Sequence, residues 1–291
     1  MNKLTKRILS VFLAVAMIVT ILPQVATTQA ASAKSIILYK GDKYQFTNYY
    51  DIKSVSSSKK AIVTIAKDKK KKYLANVTAK KTGKSTLTIK TKYDKLKYVA
   101  TVVNYKFDVS FVKVSDDSLI MVVKNNTKTI FDQVDFKYTL CDTTGEPVAR
   151  EDVSLYSLIP GKVSYKLINT YGKADVSTLD LSQCSAKAIG NSRNPLYKYA
   201  NLSSKIATKV EEEPFDGGTQ LNIKITNNSK SKGQGDVFVL FYDQDNNVLD
   251  LRSISIYSFG SGDIKTETVK FYDYKGSYDH CKIVPAVYMK K

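Results

Sequence analysis

Two stretches of this chain repeat each other at an offset of 101 residues. The segment 154–161 (SLYSLIPG) aligns without gaps on 255–262 (SIYSFGSG). Upstream, 122–128 matches 224–230 at an offset of 102, so one residue was gained between the two blocks. Self-similarity at a fixed spacing indicates a repeated folding unit, and the chain is therefore predicted to contain two copies of one domain.

Each copy is predicted to be a small β-sandwich. The copies occupy residues 105–195 and 196–291, and a segment rich in Gly, Asn and Pro at 190–195 is the predicted linker between them. Alternate residues from Phe136 to Leu140 are apolar, which places them on one face of a strand. That face is expected to cover a core.

Ahead of the repeat, residues 34–104 have the pattern of a third unit of the same class. Short apolar runs such as 61–65, 73–79 and 85–90 are separated by turn residues, and no long helical period occurs after the first 33 residues. Many short strands at this spacing are typical of sandwiches and barrels. The predicted fold class is all-β, with three consecutive Ig-like β-sandwich domains after an N-terminal signal peptide.

Residues 1–33 are predicted to be a cleavable export signal. A basic start at 1–7 precedes an uncharged apolar run at 8–22, and small residues follow up to Ala33. The run spans fifteen residues, whereas a membrane-spanning helix needs about 20, so cleavage is favoured over a retained anchor. The cut is expected after Ala33, with a cut after Ala30 as the alternative.

The exported protein is expected to be secreted, or associated with the wall of a bacterial, Gram-positive-like cell. No Cys directly follows the apolar run of the signal, and 286–291 shows neither a hydrophobic tail nor a sorting motif. No covalent tether is therefore predicted, and no transmembrane segment is predicted after signal cleavage.

Three blocks of the N-terminal unit follow a known pattern: LYKG at 38–41, SSSKKAIV at 56–63 and AKKTGKSTLTI at 79–89. Through these blocks, residues 35–104 resemble the bacterial Ig-like domain of group 2. The resemblance implies a small Ig-like sandwich of the kind found in bacterial surface and secreted proteins, where it serves in adhesion or as a spacer.

The last unit carries FVLFYD at 238–243, then NNV at 246–248 and a Ser- and Gly-bearing turn at 258–262. With these motifs, residues 105–291 resemble tandem FxLYD-type extracellular domains. The first of the two copies has FKYTLCD at 136–142 and departs from the pattern. The resemblance implies an extracellular sandwich and brings no catalytic residue with it.

The reactive side chains are few. Cys141, Cys184 and Cys281 are an odd number, so at least one thiol has no partner within the chain. Free, half-buried thiols are favoured, with a Cys141–Cys184 bridge as the alternative. The single histidine, His280, lies beside Cys281 without a second ligand at metal spacing, and adjacent strand residues point to opposite faces. We therefore predict no enzyme activity, no cofactor and no metal.

Two acidic segments are interpreted as surface features. The segment 243–250 alternates acidic residues but lacks the Gly and Glu that an EF-hand requires, so a hairpin turn is favoured. The segment 211–218 (EEEPFDGG) is interpreted as a solvated loop rather than as half of a glycosidase carboxylate pair.

Almost all of the net charge of +18 lies in the first unit. Residues 34–104 hold eighteen lysines against four aspartates, a net charge of +14, whereas the two copies carry net charges of 0 and +1. Such a field attracts polyanions, with an affinity that falls as salt rises. The expected partner is an anionic cell-wall or surface polymer. A protein partner is the second expectation, and no specific nucleic-acid recognition is predicted. The candidate contact residues are eight lysines: Lys67, Lys69, Lys70, Lys71, Lys72, Lys80, Lys81 and Lys84.

The chain is therefore expected to be a secreted or cell-surface binding or structural protein. Its basic Ig-like unit would retain it on anionic envelope polymers, and the tandem sandwiches would act as spacers or bind a partner. The alternative is a carbohydrate-binding protein that uses the ring faces of Tyr49, Tyr50, Tyr156 or Tyr257. The absence of Trp counts against it, because the indole has the largest aromatic face.

Overall fold

The computed structural model describes residues 33–290, and the signal predicted for residues 1–33 lies outside this range except for Ala33. The described residues form twenty β-strands and three short 3₁₀ helices, so the predicted all-β fold class is confirmed. Within this range, the structure shows no helix with the length and apolar character needed to cross a bilayer.

The first unit is a sandwich of a four-stranded and a three-stranded sheet. Its strands are β1 (Lys34–Tyr39), β2 (Lys43–Thr47), β3 (Ser54–Ser57), β4 (Val63–Lys67), β5 (Leu74–Ala79), β6 (Gly83–Lys90) and β7 (Lys95–Val103). The sheet orders are β1-β7-β6-β3 and β2-β5-β4, and only β1 and β7 pair in parallel among these strands. Alternate residues of β6, including Leu87 and Ile89, are buried against Phe46 and Tyr98.

The second unit packs two three-stranded sheets. Its strands are β8 (Phe107–Ser115), β9 (Ser118–Asn125), β10 (Phe131–Cys141), β11 (Pro147–Leu158), β12 (Val163–Asn169) and β13 (Ser185–Asn191), with a 3₁₀ helix at Val176–Thr178. The sheet orders are β11-β10-β13 and β12-β9-β8. The predicted inward face of β10 is buried, from Phe136 through Tyr138 to Leu140.

The third unit repeats this arrangement. Its strands are β14 (Tyr199–Asn201), β15 (Ile206–Phe215), β16 (Gly218–Asn227), β17 (Gly233–Tyr242), β18 (Val248–Phe259), β19 (Ile264–Tyr272) and β20 (His280–Lys290), with 3₁₀ helices at Ser203–Lys205 and Asp273–Lys275. The sheet orders are β14-β20-β17-β18 and β15-β16-β19. Strands β15 to β20 correspond in order to β8 to β13, and each pairs with the counterparts of the same neighbours. Strand β14 is added in the third unit.

The repeated Asn-Asn corner has the same role in both copies. Asn125 and Asn227 are fully buried. The amide of Asn125 donates to the carbonyls of Thr129 and Leu158, and the amide of Asn227 donates to the carbonyl of Phe259, among others. Each side chain therefore satisfies backbone groups that would otherwise be buried without partners, which explains why this block of the repeat is so similar in the two copies.

A second repeated feature is a strained serine. Ser157 and Ser258 have φ values of 57° and 55°, a left-handed conformation that is uncommon for a residue other than Gly. In both copies this serine lies near the end of a long strand, β11 or β18, just before the turn that carries Gly161 or Gly262. The backbone conformation of the repeated Ser-x-Tyr-Ser segment is thus common to both units.

The second and third units pack against each other through a buried apolar layer. Ile120 and Ile159 of the second unit share a core cluster with Phe238 and Leu240 of the third. Phe238 makes an edge contact with Tyr165, with ring centroids 5.4 Å apart. Strands β9 and β17 are consequently buried on both faces, and the two copies form one four-layered block rather than separate beads.

A small polar network joins the first unit to the second. The Tyr105 hydroxyl donates to Asp42 over 2.6 Å, and the Asn191 amide donates to the same carboxylate over 2.7 Å. The Tyr44 hydroxyl donates to Asn194 over 2.8 Å. Around this network Tyr39 stacks on Tyr105, with centroids 4.7 Å apart. The segment that links the two copies is therefore held against the first unit.

Two predicted loops differ from the structure. The loop interpretation of 211–218 is wrong, because β15 extends through 211–215 and only the Asp216–Gly217 turn remains outside a strand. Pro214 is tolerated there because β15 is an edge strand, where a missing N–H removes no necessary hydrogen bond. The linker predicted at 190–195 is also shorter in the structure, because β13 continues to Asn191 and the linker begins only after this residue.

Candidate functional site

The structure divides the eight candidate lysines between the two ends of the first unit. The five at 67–72 lie at the end of β4 and in the turn to β5, whereas Lys80, Lys81 and Lys84 lie where β5 passes into β6. All eight are exposed. The six residues of β5 separate the two groups, a distance of about 20 Å at the usual rise per residue. The lysines therefore form two sites, not one.

The smaller group faces the junction with the second unit. Lys80 lines a cleft of about 740 Å³ together with Tyr105, Phe107 and residues 186–189 of the second unit. Lys81 and Lys84 lie at the same end of the first unit. These three lysines are therefore close to the polar network that joins the units.

The larger group lies at the opposite, free end, which we call the tip and define as residues 48–53, 67–73 and 90–95. Backbone hydrogen bonds tie the three segments together: the amides of Asn48, Ile52 and Lys53 donate to the carbonyls of Tyr73, Lys72 and Lys90, at 3.0, 2.9 and 2.7 Å. Among the described residues, no hydrogen bond, ion pair or ring contact joins the tip to the other two units.

Each loop of the tip is fixed internally. Asp68 accepts hydrogen bonds from the backbone amides of Lys70 and Lys71 and from the Asn76 side chain. These bonds, above all the Lys71 amide, hold the pKa of the Asp68 carboxyl below its usual value. In the third segment, the Thr91 hydroxyl accepts from the amides of Tyr93 and Asp94. The loops are thus ordered supports for the side chains that they carry.

The charge of the tip is strongly unbalanced. The three segments hold nine lysines against three aspartates. Every one of these lysines is exposed: Lys53, Lys67, Lys69, Lys70, Lys71, Lys72, Lys90, Lys92 and Lys95. No ion pair among residues 33–290 involves a lysine of the first unit, whereas the second and third units contain eight pairs. The ammonium groups of the tip therefore have no internal counter-ion.

Three tyrosine rings form a connected cluster on the same tip. The Tyr49 and Tyr50 ring centroids are 5.0 Å apart at an interplanar angle of 88°, and those of Tyr50 and Tyr93 are 4.6 Å apart at 55°. Tyr49 is 90% exposed and Tyr93 is 64% exposed. The Lys92 ammonium lies 5.3 Å from the centroid of the Tyr93 ring. Aromatic surface and positive charge are thus side by side.

Sequence reasoning identified part of this tip. Tyr49 and Tyr50 were assigned to the carbohydrate alternative and the 67–72 lysines to polyanion contact, without any reason to place them together. It missed Tyr93, Lys53 and the 90–95 turn. A usable signal was present, because Lys-Tyr-Asp-Lys at 92–95 has the composition of an exposed hairpin turn between β6 and β7.

The other two candidate tyrosines lie outside the tip. Tyr156 is 51% exposed and Tyr257 is 82% exposed, so neither is a core residue. They occupy equivalent positions in the repeated segment. Tyr156 lines a groove of about 430 Å³ between the second and third units, with Tyr165, Asp236 and Arg252. Their surroundings lack the lysine excess of the tip.

The contacts of the cysteines and of the histidine are with backbone groups and side chains of their own unit. All three thiols are unbridged, although the Cys184 sulfur lies 3.3 Å from the backbone nitrogen of Cys141. Burial raises the pKa of the Cys184 and Cys281 thiols. His280 stacks on Tyr242 at a centroid distance of 5.0 Å and bonds to Asp279 over 2.9 Å.

The acidic segment that resembles a calcium loop is a hairpin turn between β17 and β18. One Asp243 oxygen accepts from the amides of Asp245 and Asn247, and the Asn247 side chain donates to the other oxygen. The carboxylate is thereby used to shape the turn. Within residues 33–290, no three His, Cys, Asp or Glu side chains are grouped closely enough to hold a metal ion.

The second large cleft lies where the three units meet. It has a volume of about 700 Å³ and is lined by Lys34, Lys128, Arg193 and Lys198, with Ile37 among its apolar residues. Neither this cleft nor the one at Lys80 is lined by an Asp or Glu side chain. Neither therefore presents a pair of carboxylates for acid–base chemistry.

The fold and the tip together define an all-β, multi-unit protein with an exposed cationic and aromatic surface at one end. Comparison with known protein families finds no match to the chain, and comparison with curated proteins finds none either.

Proposed function

We propose that this protein is a secreted or cell-surface, non-catalytic binding protein that the tip of its first unit retains on anionic polymers of the envelope. The observation that carries the proposal is the set of nine exposed tip lysines that have no ion-pair partner in residues 33–290. Keeping like charges together costs self-repulsion. A polyanion would offset that cost, which the four aspartates of the unit offset only in part.

The position of the tip supports the same function. The opposite end of the first unit is occupied by the junction with the other units, through Asp42, Tyr105 and Asn191. Among the described residues, the tip makes no hydrogen bond, ion pair or ring contact with the other two units that a polymer would have to displace. The second and third units, which carry almost no net charge, would then project from the polymer as a spacer or as a surface for a protein partner.

The sequence resemblances agree with this function. Bacterial Ig-like domains of group 2 and FxLYD-type domains both belong to surface and secreted proteins, and the predicted export signal leads to the same compartment. Teichoic acids, lipoteichoic acids and anionic polysaccharides are the polyanions available there.

The proposal is tested by binding of the purified protein to Gram-positive cell-wall extract at two ionic strengths. We expect retention at about 50 mM salt and an affinity about tenfold or more lower at 500 mM, because several lysine–anion contacts are screened together. Retention that is equal in water and in molar salt would exclude an electrostatic mechanism.

The chain offers a matched control for the location of the site. Lys69, Lys70 and Lys71 are changed to Gln in one variant, and Lys80, Lys81 and Lys84 in another. Both variants lose three positive charges from the same unit. The tip variant is expected to lose about tenfold in affinity, roughly 1.4 kcal/mol, and the junction variant less than about twofold. Equal losses would show that net charge alone, and not the tip, determines binding.

A further inference from the structure

The tyrosines of the tip have no role in binding a simple polyanion, and they require a separate explanation. Tyr49, Tyr50, Tyr73 and Tyr93 are all at least 40% exposed and all lie in the three tip segments. Exposed aromatic rings that cluster on ordered loops present apolar surface to solvent, which is a common feature of binding sites. The described first unit carries no comparable group elsewhere.

We infer that the tip recognises an acidic polysaccharide, with sugar rings packed on the separate, differently oriented rings of Tyr50 and Tyr93 and the carboxylate, sulfate or phosphate groups of the polymer on the neighbouring lysines. This inference rests on the proposed function and specifies its ligand class. A charged glycan presents an apolar ring face and an anionic group in every repeat, and the tip presents an aromatic face and ammonium groups within the same short loops.

The arrangement of cations around the rings supports this pairing. Lys92 lies beside the Tyr93 ring, and Lys90 and Lys95 flank the same turn. Lys53 is three residues from Tyr50, and its backbone carbonyl accepts a hydrogen bond from the Lys67 ammonium over 3.3 Å. Lysines from all three segments therefore lie on the same hydrogen-bonded loops as the tyrosine cluster, and one ammonium group lies directly beside a ring.

A membrane surface fits the tip less well than a glycan. Insertion into the headgroup region of a bilayer depends on aliphatic side chains, Phe or Trp together with basic residues. The exposed large apolar side chains of the tip are all tyrosines, and the nearest exposed aliphatic residue in the first unit, Ile37, lies on β1 outside the tip. Tyrosine hydroxyls instead offer hydrogen bonds to sugar hydroxyl groups.

A single-stranded nucleic acid also fits less well. Such strands bind by stacking successive bases on aromatic faces along a basic groove. The Tyr49–Tyr50 and Tyr50–Tyr93 ring planes cross at 88° and 55°, so the cluster has no parallel faces for neighbouring bases.

The experiment measures binding of the purified protein to heparin and hyaluronate, as acidic glycans, and to inorganic polyphosphate, as a polyanion without sugar. Wild type is compared with a Tyr50→Ala, Tyr93→Ala variant by calorimetry at low salt. We expect the double variant to lose about tenfold in affinity for the preferred glycan and less than about twofold for polyphosphate. A Tyr50→Phe, Tyr93→Phe variant keeps the ring faces and should retain most of the glycan affinity.

Tyr274→Ala in the third unit is the control, because this residue is more than 80% exposed and distant in sequence from the tip. The variant should bind every probe as wild type does. Near-ultraviolet circular dichroism of the tip variant checks that the first unit remains folded.

The outcomes separate the two proposals. If wild type binds none of these polyanions at low salt, the proposed function fails. If it binds polyphosphate and glycans equally, and the Tyr50→Ala, Tyr93→Ala variant does so too, electrostatic retention stands and the polysaccharide inference is overturned. Tighter binding to anionic phosphatidylglycerol vesicles or to a thymidine oligonucleotide than to either glycan would also overturn it.

Discussion

The first unit differs from the pair formed by the second and third units in how its sheets are buried and in how its charges are paired. The pair buries one sheet of each copy against the other, its positive and negative charges are nearly equal in number, and its described residues form eight ion pairs. The first unit is attached through a polar network and through the buried ring of Tyr39, which packs on Tyr105 and Phe131 of the second unit. Its eighteen lysines form no ion pair with any residue in 33–290. The charges of the pair are thus partly satisfied within the protein, whereas the lysines of the first unit are exposed to solvent.

The layer between the two copies is the feature whose loss should have the largest effect. Phe238 is 3% exposed and contacts Tyr165 of the second unit. Phe238→Ala is expected to lower the free energy of unfolding by about 4 kcal/mol, because it leaves a cavity between two sheets. Hydrogen exchange resolved by segment should show faster exchange in both copies and unchanged exchange in residues 34–103.

Tyr257→Ala is the control for this substitution, since its exposed side chain should contribute no more than about 0.5 kcal/mol. A change confined to the third unit in the Phe238→Ala protein would contradict the view that the two copies form one cooperative block.

The buried asparagine that is repeated in both copies allows a test of how much a single polar side chain contributes to the stability of the pair. The amide of Asn227 donates to the carbonyls of Ser231, Phe259 and Gly260, at 3.0, 2.8 and 2.8 Å. Asn227→Ala removes a donor from all three carbonyls. Those of Ser231 and Gly260 keep hydrogen bonds from the Ser229 hydroxyl and the Asp263 amide, whereas the buried Phe259 carbonyl loses its side-chain donor, and the expected cost is about 2 kcal/mol. Denaturant unfolding measures the loss.

The neighbouring Asn228 is exposed and provides the matched control, because Asn228→Ala removes the same chemical group from the same corner. Asn125→Ala should reproduce the effect in the second unit. Equal stability of the Asn227→Ala and Asn228→Ala proteins would show that the corner is not held by its buried amide.

The sequence is sufficient for the sandwich class and for the repeat, because turn residues and offset blocks are local signals. The packing of the copies was less accessible, although β9 and β17 contain unbroken apolar runs at 119–123 and 237–241. Such runs are typical of strands that are buried on both faces. Reading only alternate residues of these runs, as for an outward-facing strand, conceals the second buried face.

The candidate site shows a different limit of sequence reasoning. Lys67 and Lys80 are close in sequence, but one strand runs between them, so they lie at opposite ends of the sandwich. Tyr50 and Tyr93 are 43 positions apart and their rings are in contact. Neither fact follows from composition, because each depends on which strands pair.

Acidification is expected to have the smallest of the predicted effects on stability, and it tests whether the pair and the first unit differ in their pH dependence. In the pair, hydrogen bonds from Thr144, Ser177 and Ser182 lower the pKa values of the carboxyls that they contact, those of Asp142, Asp175 and Asp180. The pKa values of the Glu151, Glu211 and Asp243 carboxyls are lowered in the same way, by hydrogen bonds from Lys173, Lys209 and Asn247. A lowered folded pKa contributes stability above the unfolded value, near pH 4, and this stability is lost as the pH falls through the folded pKa.

In the first unit, the pKa of the Asp68 carboxyl is lowered in the same way, whereas the pKa of the Asp42 carboxyl is raised. Burial raises the pKa of Asp42 at the junction, so its contribution is greatest below the unfolded pKa and is lost as the pH rises through the folded value. On acidification from pH 7 to about pH 3, the protection factors of hydrogen exchange, which correct for the slower intrinsic exchange in acid, should therefore fall more in residues 107–290 than in 34–103. The measurement is made in moderate salt, which screens the repulsion among the lysines of the first unit. If the protection factors of the first unit fell as much or more, self-repulsion of the lysine-rich unit would affect stability in acid more than the carboxylate hydrogen bonds of the pair.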